Sequence, residues 1–171
     1  MDDMIILAII LVAILVYILW QKWELGRFET TQYQIRSSKI KDPVTVAVIS
    51  DLHGFTYGRN NERLLAKVKE INPAAILIPG DLLVSKHVKT YGTALETLAE
   101  LVKIAPVYYS YGNHESRLRD PERINHLCFQ QYMEEVRALG VTVMETESRR
   151  IILGGNPVML SALELELDYY E

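Results

Sequence analysis

The sequence predicts an α/β fold with a mostly parallel sheet, preceded by a membrane-spanning helix. Three observations predict it. An unbroken apolar run opens the chain, from Met4 to Trp20. Short β-branched runs then alternate with helix-patterned segments. Three of those runs close on polar clusters, Ser50-Asp-Leu-His53, Gly80-Asp81 and Gly112-Asn-His-Glu115. The 171 residues suit one domain, or slightly less than one for an α/β enzyme. With 49% apolar and 23% charged residues the chain is not a disordered one. Its 18 basic and 22 acidic side chains give a net charge of -4, which argues against nucleic acid as a partner. A single cysteine, Cys128, excludes an internal disulfide and a cysteine-built zinc site.

As a helix, Met4 to Trp20 spans about 25 Å, near the lower limit for crossing a bilayer. Neither glycine nor proline interrupts it, and Tyr17, Trp20 and Trp23 gather at one end, where aromatic rings favour the lipid–water interface. A buried core helix would show a polar stripe, and this run has none. A cleaved signal peptide would have a basic start and a small-x-small site, and neither is present. The reading is an uncleaved single-pass anchor over residues 1–22. Asp2 and Asp3 precede the run, whereas Lys22, Arg27, Arg36, Lys39 and Lys41 follow it. The positive-inside rule then places the bulk of the chain in the cytoplasm.

Residues 23–42 read as a polar connector with one strand-like piece, Thr31 to Ile35. Val44 to Ser50 is the first buried strand. Asn60 or Asn61 caps a helix running to Ile71, with Leu64, Leu65, Val68 and Ile71 on one face, and Asn72-Pro73 stops it. Ala75 to Pro79 is a second strand. A helix over about 90–104 follows, and Val107 to Tyr111 is a third strand. Asp120-Pro121 fits a cap and first turn of a helix ending at Gly140. Val141 to Met144, Arg149 to Leu153 and Val158 to Leu163 read as short strands around Gly154-Gly155-Asn156-Pro157. Cys128 lies amid apolar residues on a helix and is expected to pack.

In open sheets of this kind, ligands collect at the carboxyl ends of the strands, where the three polar clusters fall. Asp51, His53 and Asp81 offer two carboxylates and an imidazole, Asn113 an amide oxygen, and His114 a second imidazole. This hard O/N set suits a divalent ion such as Mn, Fe or Zn. An i, i+2 pair such as Asp51 and His53 converges where a strand opens into a loop, and Gly80 and Gly112 allow close backbone approach. Any one such residue is commonly a cap or a solvated side chain. Three clusters at successive strand ends are hard to ascribe to capping.

Asp51-x-His53, Gly80-Asp81 and Gly112-Asn113-His114-Glu115 resemble the first three signature blocks of the calcineurin-like metallophosphoesterases. The surrounding VAVISDLHG, AILIPGDLL and YYSYGNHE are similar to membrane-anchored bacterial members, and the resemblance covers roughly residues 30–171. It implies a two-sheet sandwich flanked by helices, of which residues 43–171 hold the N-terminal half. By the same resemblance Asp51 and His53 bind a first metal, Asp81 bridges two, and Asn113 binds the second. His114 contacts the substrate and assists the leaving group, and Glu115 supports the site without touching metal or substrate. The implied activity is hydrolysis of a phosphomonoester or phosphodiester. A metal-bridging hydroxide is the attacking group, and two divalent ions (Mn, Fe or Zn) serve the complete domain.

The family pattern continues with a lone histidine and a Gly-His-x-His block, both metal ligands. Neither follows here, since His126 is the last histidine. The expectation is a chain incomplete at its C-terminus, holding one ion or none and turning over little substrate by itself. A membrane protein that keeps part of the fold without catalysis is the alternative. No G-x-G-x-x-G follows a strand, so a dinucleotide-binding module is disfavoured. His126 reads as structural. His87 reads as a loop residue, with a border of the substrate groove as its other reading. Arg117 and Arg119 read equally as phosphate contacts or as a solvated loop. The anchor is compatible with a lipid-linked phosphoester as substrate.

Overall fold

The computed structural model describes residues 2–164. The chain divides into two units, residues 1–35 and 36–171. In the first, α1 (Asp2–Leu25) carries the apolar run. It is, among the described residues, the one helix long and apolar enough to cross a membrane, with a mean hydropathy of 2.8 and no part of that window buried. The helix continues three residues past the expected end at residue 22. Lys22 in its last turn complements the helix dipole, and the Gly26 N–H closes that turn on the Lys22 carbonyl at 3.2 Å. The strand expected over Thr31 to Ile35 does not form. Tyr33 and Ile35 are almost fully exposed, and an extended segment without a ladder partner has nothing to hold it as a strand.

The second unit is built on a parallel sheet in the order β1-β2-β3-β4. Its strands are β1 (Val46–Val48), β2 (Ala75–Ile78), β3 (Val107–Tyr109) and β4 (Thr142–Val143). Val46 pairs with Ala75, Ile76 with Val107, and Tyr108 with Thr142. The crossovers carry α2 (Glu62–Ile71), α3 (Lys89–Leu101), then α4 (Asn113–Leu118) and α5 (His126–Ala138). Side chains alternate across the sheet. Ile76, Ile78, Val107 and Tyr109 are buried on one face, and the Tyr132 hydroxyl of α5 donates to that of Tyr109 at 3.4 Å. On the other face Ala75 packs with Ile151 and Leu153 of an antiparallel hairpin, against Val46, Tyr108 and Leu160. Each such buried aliphatic side chain contributes about 1.5–3 kcal/mol.

That hairpin is β5 (Glu147–Leu153) and β6 (Asn156–Ala162). Gly154 and Gly155 turn it with φ of 53° and 81°, the two positive angles a tight twisted hairpin turn demands. The Asn156 side chain ties the turn to the segment before β1, accepting from Lys41 N–H at 2.8 Å and donating to the Asp42 carbonyl at 3.1 Å. A cleft of about 150 Å³ remains between sheet and hairpin, lined by Val48, Leu77, Tyr108 and Leu160. The continuation of the last strand beyond residue 164 lies outside the described residues.

Three local expectations are corrected. Asn60 and Asn61 do not cap α2 through their side chains. Both are left-handed, and Asn61 instead accepts from Tyr57 N–H and donates to Thr97 Oγ1, joining the loop to α3. Asp120-Pro121 does not start the following helix. Asp120 closes a turn on Glu122 and Arg123, and α5 begins at His126, after Asn125 has bonded the Ser85 carbonyl. Cys128 is exposed on α5 and does not pack.

Candidate metal centre

The loops after β1 and β2 run side by side. Their pairing outlives the strands: Ile49 N–H donates to Leu77 O (3.0 Å), Asp51 N–H to Gly80 O (3.4 Å) and His53 N–H to Asp81 O (2.9 Å). This shared register carries Asp51, His53 and Asp81 to one place. One ligand atom from each lies within 4.8 Å of the others. All three residues are left-handed, with φ of 58°, 48° and 56°. A non-glycine residue there is strained by about 1 kcal/mol, and such strain concentrates at functional sites. The backbone bonds between the loops hold it.

The third loop approaches through two glycines. A Cβ on Gly80 would lie 2.0 Å from Gly112 N, and one on Gly112 would lie 2.4 Å from Asp81 Oδ1. Only bare backbone permits this contact. It brings α4 onto Asp81, whose Oδ1 accepts the His114 N–H at 2.9 Å. The other Asp81 oxygen has no protein donor among the described residues. Asp51 is exposed, accepts from Ser50 Oγ at 2.6 Å, and places Oδ1 3.6 Å from His53 Nε2.

Glu115 locks the three loops. Its carboxylate is completely buried. It accepts from Asp81 N–H (2.9 Å), Leu82 N–H (3.0 Å), Gly112 N–H (3.1 Å) and the Tyr109 hydroxyl (2.7 Å). Burial pushes the carboxyl above its ordinary range, and the bonds from Tyr109 and the backbone oppose that rise. The side chain therefore positions Asp81 and Gly112 from beneath the site.

His114 stands beside the acidic group, its ring edge-on to His53 at 5.0 Å between centroids. Its Nδ1 lies 3.1 Å from the Ser85 backbone N–H and 3.1 Å from Ser85 Oγ. A backbone N–H can only donate, so Nδ1 is the acceptor and Nε2 carries the proton. Burial lowers the His114 pKa, with the Asp81 charge opposing. Asn113 is the first residue of α4, beside Gly112, with an exposed side chain that has no protein hydrogen bond among the described residues.

Sequence reasoning missed Ser85, Asn125 and Tyr109, because each acts through a partner set by folding. No local signal marks them. Arg119 is taken up by Glu145 (3.7 Å), Glu164 (2.5 Å) and the Tyr111 ring (5.7 Å), while Arg117 is exposed. His126 bonds the Leu118 carbonyl at 2.8 Å, a structural place, and His87 is an exposed turn residue.

The donor set fits a divalent cation. Two carboxylates and an imidazole converge, no thiolate is near, and the backbone beneath them is strained and fixed. These are oxygen and nitrogen donors of the kind that hold Mn, Fe or Zn. The comparisons with known proteins agree. Residues 44–157 match the family model described as calcineurin-like phosphoesterase, a span that contains every residue of the site. The chain is also 33% identical over 79 residues to a Danio rerio protein described as a transmembrane protein with metallophosphoesterase domain. The match covers 45% of this chain and 18% of that relative. Matched over most of its length by the family model and carrying the Asp-His-Asp group at the strand ends, this chain belongs to the calcineurin-like phosphoesterase family.

Proposed function

We propose that the chain hydrolyses phosphoesters with divalent metal ions held at Asp51, His53, Asp81 and Asn113, and that α1 tethers it to a membrane. The convergence of Asp51, His53 and Asp81 within 4.8 Å carries this reading. The family is typically dinuclear, so a complete domain would hold two ions, and Asp51, His53, Asp81 and Asn113 are the residues of this chain that would contribute ligands to them. When bound, such ions polarise phosphoryl oxygens and make a strong nucleophile of water at neutral pH.

The chain's own residues do the rest. Glu115 fixes the Asp81 and Gly112 backbones, so the carboxylate does not shift as charge develops. His114, with Nδ1 occupied by Ser85, presents an Nε2–H donor. That proton can hydrogen-bond a phosphoryl oxygen or pass to the departing one. Lys22, Arg27, Arg36, Lys39 and Lys41 after the apolar run favour a cytoplasmic domain. The phosphoester substrate stands as a class, monoester or diester.

The test is Mn²⁺ binding by calorimetry alongside hydrolysis of bis(p-nitrophenyl) phosphate, on the full chain in detergent. Asp81→Asn is expected to abolish both. Unchanged hydrolysis in Asp81→Asn would sink the site assignment. Binding without turnover in the parent chain would select the non-catalytic reading.

A further inference from the structure

The exposed large apolar side chains of the second unit fall into two groups. Val48, Ile152, Met159 and Leu163 belong to the strands or to the end of the hairpin. Phe55, Val88 and Ile124 sit on three loops, and Leu127 is in the first turn of α5. Those loops are joined to one another. Gly54 lies so close to Thr90 that a Cβ would come within 2.4 Å of its methyl group. Asn125 donates to the Ser85 carbonyl at 2.8 Å, and Ser85 in turn bonds His114. The segments that carry these apolar residues therefore adjoin one another beside His114, and together they make a rim of exposed apolar groups.

The prominence of this rim is unusual. Ile124 is 98% and Leu127 76% exposed. These side chains project into solvent, and exposed apolar side chains gathered on adjoining segments mark an interaction surface. Basic residues accompany them: Lys86, Lys89 and Arg117 are exposed and carry no ion pair among the described residues. Of the nearby acids, Asp120 is paired with Arg123 at 3.6 Å, and Glu122 and the metal-site carboxylate of Asp51 are exposed. Projecting aliphatics among unpaired cations match the chemistry of an anionic lipid surface, where the chains enter the headgroup boundary and the cations meet phosphate.

We propose that this rim seats on an anionic bilayer, with Ile124 and Leu127 entering the headgroup region. The inference rests on the reading of α1 as a membrane anchor. Residues 27–40, before the segment that Asn156 holds at Lys41 and Asp42, form no helix or strand, so this tether lets a chosen face turn to the membrane. A tethered domain also needs only weak interfacial affinity to stay seated. Seated this way, the metal centre meets phosphoester groups at headgroup level, so the substrate class is a membrane-borne phospholipid or lipid-linked phosphoester.

The single cysteine makes the test direct, since exposed Cys128 adjoins Leu127. The full chain is labelled there with a polarity-sensitive fluorophore and reconstituted into vesicles containing phosphatidylserine and doxyl-labelled lipid. The control label sits at Lys103→Cys in a Cys128→Ser background, at the opposite end of β3. Expected is a blue shift and doxyl quenching at position 128 only, lost in Ile124→Ser/Leu127→Ser and weakened in pure phosphatidylcholine or high salt. Both replaced residues are exposed, so the double variant leaves the core intact. Chain that floats with the vesicles but shows no quenching at 128 would overturn the seat and leave the anchor standing. Chain that fails to float would overturn the anchor, and the seat with it. Quenching-free burial of the label that tracks protein density, whatever the lipid, would assign the rim to a second copy and overturn the proposal. Hydrolysis of the soluble diester is read separately, so loss of the phosphoesterase reading is distinguishable from all three.

Discussion

Replacing Glu115 tests whether one buried carboxylate holds the metal centre together. Four donors converge on it: the N–H groups of Asp81, Leu82 and Gly112 and the Tyr109 hydroxyl. In Glu115→Gln the amide oxygen can keep Asp81 and Gly112, and the new NH₂ can donate to the Tyr109 oxygen. Leu82 N–H then faces a second donor. One buried N–H is orphaned, which costs about 1–3 kcal/mol, and the remaining bonds lose their charge assistance. Relief of the buried charge offsets part of this, so the expected loss is about 2 kcal/mol. Glu115→Ala orphans all four donors and leaves a cavity, and the expected loss is about 4 kcal/mol. For a unit of this size that corresponds to Tm falling by about 6 °C and about 12 °C. Urea and thermal unfolding of the detergent-solubilised chain, followed by near-UV circular dichroism of the Tyr109, Tyr111 and Tyr132 cluster, reads both. The same variants should lose Mn²⁺ affinity, since the Asp81 backbone is freed. Glu115→Gln within about 0.5 kcal/mol of the parent, with unchanged metal affinity, would refute the argument.

Two further predictions follow the same logic. Gly80→Ala forces a Cβ to 2.0 Å from Gly112 N, whereas Gly140 also has positive φ but nothing within 4 Å. Gly140→Ala should therefore cost about 1 kcal/mol of backbone strain, and Gly80→Ala more than 3 kcal/mol together with loss of Mn²⁺ binding. Denaturation and calorimetry on the pair check this, and equal costs would show that the two loops are not in contact. Tyr91 carries the one buried hydroxyl without a partner among the described residues, so Tyr91→Phe should stabilise by about 1 kcal/mol in urea unfolding. Burial pushes the Tyr91 pKa from 10.0 up to about 12. A phenol raised in the folded state contributes stability in full below pH 10.0 and loses it as the pH climbs toward 12, so stability should fall in that window, and less steeply in Tyr91→Phe. An unaltered alkaline slope in the variant would remove Tyr91 from the account.

The parts of the fold that were legible share one property: their signal is local. Val46–Val48, Ala75–Ile78 and Val107–Tyr109 are apolar runs bounded by polar or breaking residues, and each became a strand. Helix periodicity in Leu64, Leu65 and Val68 marked the buried face of α2. Asp51, His53 and Asp81 were legible because strand ends in a parallel sheet share an edge, so three polar strand ends had to be neighbours. Where the reading failed, the outcome turned on a distant partner. Thr31 to Ile35 alternates like a strand but finds no ladder. Asp120-Pro121 has the right letters for a helix start, yet Asn125 bonds Ser85, 40 residues away in sequence, and the helix begins after it.

Glu115 shows why the support of such a site is harder to read than its ligands. A ligand is recognised by its chemistry, and a carboxylate or an imidazole at a strand end announces what it can bind. A supporting residue is recognised by what donates to it, and three of the four donors to Glu115 are backbone N–H groups, which have no letter in the sequence. Two of them come from residues 33 and 34 positions away. The left-handed conformations of Asp51, His53 and Asp81 are hidden for the same reason. Aspartate tolerates positive φ more readily than most residues, and histidine does so to a lesser degree, so composition permits the strained loops without demanding them. What demands them is the continuation of β1–β2 pairing through Asp51–Gly80 and His53–Asp81. The strain is a property of two loops held in register. It follows that loosening either loop should relax all three residues at once, and metal affinity should fall with any substitution that breaks the register, even one that spares every ligand.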